Sequence, residues 1–349
     1  MALSLVAVSA AMALTARDMR AQTSPPSPPS PPSPICGTEG GAQLLCGVSK
    51  PEDLFRVEGT DWIVTTSLAG GIHILNTRDK RPVPLYPAAN ARETFDRRTY
   101  ASCAGPPDAA AKAHFSTLGL HIRPLGRGLH RLYVTRYPGP SGVDVFDLDV
   151  RAKPRATWIG CVPSPGTVLA NSIVGLRDGG FIVSSFYETG ANSQASRAKA
   201  LDGGITGALW SWHPKTGWAQ IPGTESAGPN GIELSPDGRH AYVNQWGSRT
   251  FMRVTLGAVP PRRDIVPMGF RPDNLHWAPD GMLLIAGHTD TAGYLAKIDP
   301  VSLKVTPLLS RPDTPRFVHV SGAIQIGSDY WVGSSRSDHL AIFPALDKR

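Results

Sequence analysis

Hydrophobic positions alternate with polar ones through most of the chain, in short runs that end at turn-forming residues. The segments SPDGR, APDGM and RDGG place Gly where a β-turn needs positive φ, and each separates two runs of strand-forming residues. A period close to two predicts half-buried strands, and tight turns between them predict antiparallel hairpins. Only KAHFSTLGL and the region around residues 194–201 could hold a helical turn or two.

The alternating runs belong to a unit that recurs six times. The spacing of roughly 45 to 65 residues between copies matches a four-stranded propeller blade with some long loops. The copies begin at Pro51, Leu118, Asn171, Pro229, Asp273 and Ser321. We therefore predict an all-β fold, one six-bladed β-propeller over residues 36–349, in which a strand near residues 36–50 completes the last blade. A two-sheet sandwich is the competing all-β interpretation, but it needs fewer repeats.

Polar residues open several of the copies. The innermost strands of a propeller begin around a central channel, so residues at equivalent starts converge although they are far apart in sequence. The starting pairs are Glu52-Asp53, Leu118-Gly119, Asn171-Ser172, Asn230-Gly231, Asp273-Asn274 and Ser321-Gly322. One Asn or Asp before a strand is usually a turn former, but matched positions in four blades favour a metal site. Oxygen donors without sulfur or an HExxH motif suit Ca²⁺ better than Zn²⁺.

Five motifs at these starts resemble the paraoxonase branch of the calcium-dependent propellers, which also includes gluconolactonase and senescence marker protein. The resemblance covers about residues 46 to 345, and its motifs are PEDL at 51–54, ANSIVGL at 170–176, GPNGIELSPDG at 228–238, RPDNL at 271–275 and the final VSGAIQIGSDYWVGSS. It implies that a catalytic Ca²⁺ polarises the carbonyl of a lactone or ester while water attacks. The ligands that the resemblance implies are Glu52, Asn171, Asn230, Asp273 and Asn274.

The sequence departs from that family in its histidines. Paraoxonases carry a His at the position of Leu118 and another near Tyr137, which together form a proposed proton-relay dyad, and this chain has neither. His121 is close in sequence, but strand alternation points it elsewhere. Asp273 is therefore expected to act as both metal ligand and base. His288, in LLIAGHTD, is expected either to contact substrate and assist proton transfer or to be an ordinary residue at a strand end.

The resemblance also implies a second, structural calcium bound by Asp53 and the backbone at Leu120. Ser172 stands where the family has an Asp ligand for that ion, which weakens this prediction. Tyr187 and Trp246 lie at strand ends, where they either line the mouth of the pocket or pack between blades. The loops around residues 80–115 and 187–208 are expected to cover the channel and to set substrate specificity.

The N-terminal region differs in composition from the rest of the chain. Residues 1–22 contain the apolar run MALSLVAVSAAMALTA, which predicts a signal peptide, although no Lys or Arg precedes the run and a membrane anchor is the alternative. Residues 23–35 form a Pro/Ser-rich linker. Four cysteines in an exported chain predict disulfides, most simply Cys36–Cys46 and Cys103–Cys161, with two other pairings open. The predicted location is secreted or periplasmic.

Charge and missing motifs narrow the function. The net charge of +7 comes from scattered Lys and Arg without interleaved aromatics, which argues against nucleic acid binding, and no segment predicts a stable membrane span. No GxSxG motif is present. The leading hypothesis is a calcium-dependent hydrolase of small lactones or aryl esters. The alternatives are a non-catalytic, calcium-stabilised binding or scaffold protein, and other chemistry such as the condensation of strictosidine-synthase-like propellers; the oligomeric state is open.

Overall fold

The computed structural model describes residues 34–137 and 141–344, and within these ranges the strands form six sheets arranged as a six-bladed β-propeller. The predicted fold class is confirmed. The predicted signal peptide and nearly all of the predicted linker lie outside the described residues. No helix in the described ranges is long and apolar enough to cross a membrane.

The strands follow one another blade by blade along the chain. An initial hairpin consists of β1 (Ile35–Glu39) and β2 (Ala42–Leu45). Blade 1 contains β3 (Pro51–Arg56), β4 (Trp62–Ser67), β5 (Ile72–Asn76) and β6 (Val83–Tyr86). Blade 2 and its preceding segment contain β7 (Arg92–Glu93), α1 (Ala109–Ala113), β8 (Thr117–Gly126), β9 (Leu129–Arg136), β10 (Gly142–Asp149) and β11 (Arg155–Pro163). Blade 3 contains β12 (Val168–Gly175), β13 (Phe181–Glu188), a 3₁₀ turn (Gly190–Asn192), α2 (Ser193–Leu201), β14 (Leu209–His213) and β15 (Gly217–Gln220).

The remaining three blades have simpler connections. Blade 4 contains β16 (Pro229–Leu234), β17 (His240–Gln245), β18 (Thr250–Thr255) and β19 (Arg262–Pro267). Blade 5 contains β20 (Arg271–Trp277), β21 (Leu283–His288), β22 (Ala292–Ile298) and β23 (Val305–Pro312). Blade 6 contains β24 (Val320–Ile326), β25 (Asp329–Ser334) and β26 (Leu340–Pro344). The helix α2 falls where the sequence allowed helical turns, whereas α1 overlaps only the first two residues of KAHFSTLGL and the last four residues of that segment begin β8.

The N-terminal hairpin completes the last blade. β2 pairs with β26 in the register Gln43↔Ile342 and Leu45↔Leu340, so the sheet of blade 6 runs β1-β2-β26-β25-β24. The innermost strands β3, β8, β12, β16, β20 and β24 each pack against the next, and β24 packs against β3. Strand pairing between the two ends of the chain therefore closes the ring, as predicted for residues 36–50.

Each innermost strand carries the same irregularity. In all six blades the ladder to the second strand advances three residues on the inner strand for two on its partner, as in Pro229↔Gln245 followed by Ile232↔Val243. This is a β-bulge, which leaves two residues opposite one and re-aims their side chains. The bulged residues are Glu52-Asp53, Leu118-Gly119, Asn171-Ser172, Asn230-Gly231, Asp273-Asn274 and Ser321-Gly322.

Polar side chains opposite the bulges satisfy the backbone groups that the bulges release. Asn244, opposite the blade 4 bulge, donates from Nδ2 to the carbonyl of Asp273 at 2.7 Å. Ser184 accepts the N–H of Ser172 at 3.0 Å in blade 3. Unpaired buried backbone groups would be costly, so these side chains stabilise the bulged conformation.

Neighbouring inner strands approach closely at the bulges. A Cβ added to Gly231 would lie 2.6 Å from the backbone nitrogen of Leu275 and 2.7 Å from the Cα of Asn274, and it would also meet the carbonyl of Asp273. Only glycine leaves room for β20 at this distance. Gly231 thereby holds blade 5 at the spacing that brings Asp273 beside Asn230.

Apolar side chains from adjacent blades form the core. The largest buried cluster joins blades 1, 2 and 3 and includes Trp158, Phe181 and Tyr133. Disulfides Cys36–Cys46 and Cys103–Cys161 are formed, which confirms the simplest predicted pairing. The first bridges the N-terminal hairpin at its base, and the second ties the segment before α1 to β11.

Candidate metal centre and its cavity

The five predicted metal ligands converge at one end of the central channel. Each of them is at most 6% exposed. Glu52, Asn171, Asn230 and Asp273 line a cavity of about 240 Å³, and Asn274 lies behind them with its Nδ2 3.0 Å from Glu52 Oε1. The bulges account for this convergence: Glu52, Asn171, Asn230 and Asp273 are each the first residue of a bulge, and Asn274 is the second residue of the blade 5 bulge.

The amide groups of the ring are oriented by the carboxylates. Asn274 donates to Glu52, and Asn230 makes a side-chain hydrogen bond to Asp273, so each amide nitrogen faces a carboxyl oxygen. The amide oxygens then point the other way. Four oxygens of the ring are buried and have no hydrogen-bond partner among the described residues: Glu52 Oε2, Asn171 Oδ1, Asn230 Oδ1 and Asn274 Oδ1.

The two carboxyl groups of the ring repel each other in a desolvated site. Burial, followed by the charges of Asp53 and Asp273, raises the pKa of Glu52 well above its ordinary value. Burial, with a further contribution from Asp53, likewise raises the pKa of Asp273. Both shifts report a site that disfavours uncompensated negative charge.

A hard divalent cation fits this donor set. Unpaired buried polar oxygens are rare in native proteins, and four on one ring need a common partner. Carboxylate and carboxamide oxygens are the ligands that Ca²⁺ takes, and its charge would offset the repulsion between Glu52 and Asp273. These five residues could therefore hold such an ion, and the ring nitrogens of His288 and His319 lie within 4.8 Å of the Asp273 carboxyl oxygen.

His288 lies beside the ring and is held in one tautomer. Its Nδ1 is 3.1 Å from the carbonyl of Thr289, so Nδ1 carries the proton, and its Nε2 accepts from the indole N–H of Trp246 at 3.2 Å. The same Nε2 lies 3.8 Å from Asp273 Oδ2. Burial lowers the pKa of His288 to about 4. The imidazole is thus neutral, and its lone pair is already engaged by Trp246.

His319 is the imidazole that faces the cavity. Its ring packs on that of His288 with centroids 3.5 Å apart, and its backbone has φ of +56°. Positive φ is costly for a residue with a side chain and is concentrated at functional sites. The sequence analysis missed His319, although its position two residues before the Ser321-Gly322 pair would have been a signal.

The positions of the missing dyad and of the predicted mouth residues also line the cavity. Leu118 and Tyr137 are both in its wall, so the places of the two family histidines are occupied by an apolar and a phenolic side chain. Tyr187 and Trp246 line the same cavity. His121 does not; as predicted it points elsewhere, and its Nδ1 accepts the backbone N–H of Gly175 at 3.2 Å.

Two arginines at the cavity rim were not anticipated from the sequence. Arg197 lies on α2, within the predicted specificity loop 187–208, and Arg336 follows β25. Arg336 lies three residues after Gly333, which faces the blade 6 bulge, just as Tyr187 lies three residues after Ser184 in blade 3. This equivalence in the repeat is the signal that could have found it. Arg197 lies on a helix outside the blade repeat, so alignment of the repeats gives no information about it.

The residues predicted for a second calcium are already paired. Asp53 is fully buried, and its Oδ1 lies 2.7 Å from His276 Nε2 and 2.9 Å from the N–H of Leu54. The backbone N–H of Leu120 donates to Asp53 Oδ2 at 3.3 Å. Burial lowers the pKa of His276, but Asp53 and Glu233 outweigh that effect and raise it to about 10. The His276 imidazole is therefore a partner for Asp53, in contrast to the unpartnered oxygens of the first ring.

A second cavity, of about 550 Å³, lies at the other end of the channel. Its walls come from the turns that follow the inner strands, including Gly59 and Pro279, together with His121, His276 and Glu233. Glu233, the buried carboxyl group in the lining of this cavity, lies 3.6 Å from His276 Nδ1. It therefore has a partner, unlike the unpaired oxygens of the first ring. The candidate metal centre and this cavity are thus separated by the buried Asp53–His276 pair.

Comparisons with known proteins agree with this architecture. No protein-family model matches the chain, and a search of curated proteins finds no match. Among solved structures, a luciferin-regenerating enzyme aligns with a TM-score of 0.56 and 13% identity over 88% of this chain and 96% of the other. A provisionally named gluconolactonase aligns with 0.55 and 13% over 89% and 94%. The calcium-binding protein regucalcin from Agrobacterium tumefaciens aligns with 0.50 and 12% over 86% and 95%. At these identities the likeness is one of fold, and the chain is a six-bladed β-propeller of the architecture found in those proteins.

Proposed function

We propose that this protein is a calcium-dependent hydrolase of lactones or aryl esters. The observation that carries the proposal is the set of four buried oxygens without partners on Glu52, Asn171, Asn230 and Asn274, at the floor of an open cavity. The structural likeness to regucalcin, which is named as a calcium-binding protein, and to a provisionally named gluconolactonase supports the choice of ion and of substrate class.

A bound Ca²⁺ would supply a positive charge that polarises the substrate carbonyl and stabilises the negative charge that develops on its oxygen. The side-chain oxygens of Glu52, Asn171, Asn230 and Asn274 would hold the ion at the base of the cavity. Asp273 is the only other carboxyl among the described cavity-lining residues, and beside a bound cation it would be ionised and able to accept a proton from water. We assign Asp273 as ligand and general base.

His288 serves this scheme as a positioning residue beside Asp273. Its Nε2 lone pair accepts the Trp246 N–H, so it is poorly placed to take a second proton. Instead its packing fixes the Asp273 carboxyl and supports His319, whose ring lies over the cavity. We propose one ion only, because Asp53 already faces His276.

We place this activity in a secreted or periplasmic location. Two disulfides are formed in the described residues, and structural disulfides persist in oxidising compartments. The apolar run within residues 1–22 agrees with export.

The test uses purified protein, a panel of lactones, and phenyl acetate, each assayed with and without a chelator and after Ca²⁺ is added back. Asp273→Ala and Asn230→Ala are expected to lower kcat/KM at least 100-fold, because each removes part of the ring. Asp178→Ala is the matched control, since this exposed carboxylate lies in the turn between β12 and β13.

Two outcomes would contradict the proposal. One is the absence of turnover on every substrate, and the other is turnover that responds neither to chelation nor to Asp273→Ala. A fall in melting temperature on chelation without any turnover would favour the alternative of a calcium-stabilised binding protein, because a ligand that binds only the folded state stabilises it.

A further inference from the structure

The cavity has an acidic floor and a basic rim. Its lining residues include Glu52 and Asp273 at the floor and Arg197 and Arg336 above them, and no other acidic side chain. The other lining residues include the apolar and aromatic side chains of Leu118, Leu169, Phe186, Tyr187 and Trp246. A ligand that fills the cavity would therefore contact carboxyl groups, apolar and aromatic surface, and two guanidinium groups.

The rim arginines have no acidic partners. Within residues 34–137 and 141–344, neither guanidinium makes an ion pair or a hydrogen bond, whereas Arg131 and Arg253 are paired with aspartates. Both side chains are exposed. Arg197 lies on α2 in blade 3 and Arg336 follows β25 in blade 6, so the two charges reach the cavity from different blades.

A third guanidinium adds to the positive character of this end. Arg271 is 8% exposed, lies over the Trp246 ring at 4.5 Å from its centroid, and donates to the carbonyl of Gly247 at 3.5 Å. Burial, followed by the charges of His288, Arg336 and Arg197, lowers the pKa of His319 to about 2. His319 and His288 are therefore neutral and add no charge of their own.

We propose that the substrate carries a carboxylate, which Arg197 and Arg336 bind at the rim while the reacting carbonyl lies at the floor. Guanidinium groups bind carboxylates in a planar, two-point geometry, and unpaired arginines at a pocket mouth also attract anions to it. The cavity volume of about 240 Å³ restricts this substrate to a small acid-bearing lactone or ester. The inference rests on the proposed function for the position of the reacting carbonyl.

The kinetic test compares 4-acetoxybenzoate with methyl 4-acetoxybenzoate. Hydrolysis adds water to the aryl acetate in both and releases acetate and a phenol, so acetate release is measured. The para carboxylate and its methyl ester also change the reactivity of the acetate, so each kcat/KM is divided by the rate constant for uncatalysed alkaline hydrolysis of that compound. We expect kcat/KM to favour the acid about fivefold or more, since exposed ion pairs contribute modestly. Arg197→Gln and Arg336→Gln should each reduce that ratio, and their combination should abolish it. Added salt should also reduce it.

Arg177→Gln is the matched control. Arg177 is exposed in the turn between β12 and β13, at the other end of the channel, so the variant changes net charge equally without altering the rim. It should keep both the activity and the ratio of the wild type. A ratio near one in the wild type, or a ratio that survives the double substitution, would overturn the inference while leaving the hydrolase proposal intact.

A binding measurement separates the two proposals. Calorimetric titration with 4-hydroxybenzoate and with its methyl ester measures carboxylate recognition whether or not any ester is hydrolysed. Tighter binding of the acid that is lost in Arg197→Gln/Arg336→Gln supports the cationic rim even if turnover is absent. Equal binding of acid and ester, or acid binding that the double variant retains, contradicts it.

Discussion

Substituting Gly231 by Ala tests whether the spacing between blades 4 and 5 determines the metal ring. The added Cβ would lie 2.6 Å from the Leu275 nitrogen and 2.7 Å from the Asn274 Cα. Ordinary contact distances are about 3.4 Å or more, so β20 must move by roughly 0.7 Å. Both atoms belong to the backbone, and no change of side-chain rotamer can relieve the overlap.

The expected cost follows from that displacement. Overpacking in a well-packed core costs about 1 to 3 kcal/mol, and a rigid backbone obstacle places Gly231→Ala near 3 kcal/mol. In urea unfolding with a slope of about 3 kcal/mol/M, the midpoint should fall by about 1 M. The same shift moves Asp273 and Asn274, so the increase in melting temperature that the proposed function predicts on addition of Ca²⁺ should also shrink.

Gly281→Ala is the control for this prediction. Gly281 has φ of +78° and open space around its added Cβ, so Ala there should cost only about 1 kcal/mol of backbone strain and leave the ring in place. If Gly231→Ala unfolds at the wild-type midpoint, or matches Gly281→Ala in both midpoint and response to Ca²⁺, the close approach of the inner strands does not set the site.

Two further predictions concern stability. Replacing the Cys103–Cys161 pair by serines should cost about 4 kcal/mol, against about 3 kcal/mol for Cys36–Cys46, because the sequence separations are 58 and 10; urea unfolding of the two variants would show the reverse order if loop closure is not the main cause. Burial lowers the pKa of His73 and of His130 in the folded protein. Below the ordinary histidine pKa of about 6.5, the unfolded chain therefore binds protons at these two residues that the folded protein does not bind. The contribution of these two histidines to the free energy of unfolding should therefore be fully present above about pH 7 and be lost as the pH falls toward 5. The urea midpoint of the His73→Gln/His130→Gln variant should fall less than that of the wild type over this range. An equal fall would assign the loss of stability to other groups.

The sequence was sufficient for the architecture because the repeat is local. Each bulged pair lies next to its own turn and strand, so the six starts could be aligned without any structure, and all six lie at bulges. The closing strand was predicted because the last copy ends close to the C-terminus, and the disulfides followed the simplest pairing. The sequence did not predict contacts between segments that lie at non-equivalent positions of the repeat or outside it.

The partner of Asp53 illustrates this limit. His276 is 223 residues from Asp53 in sequence and lies in β20, the strand that also carries Asp273. No spacing rule therefore links it to Asp53. The resemblance suggested a metal ligand at Asp53, which stays a prediction; the structure adds a neighbour for that carboxyl group, the His276 imidazole at 2.7 Å. The role of Arg197 could not be predicted from the sequence either, because its position depends on how α2 lies over the cavity.

Ring closure by the N-terminal hairpin has a consequence for synthesis of the chain. β2 is among the first strands to be synthesised, but its partner β26 is among the last. Blade 6 can therefore form only after almost the entire polypeptide has been made. Until then the edges of β2 and of the growing stack of blades have no partners, and unpaired edges invite association between chains. The same pairing means that cleavage before β3 would remove two strands from the last blade rather than a dispensable tail.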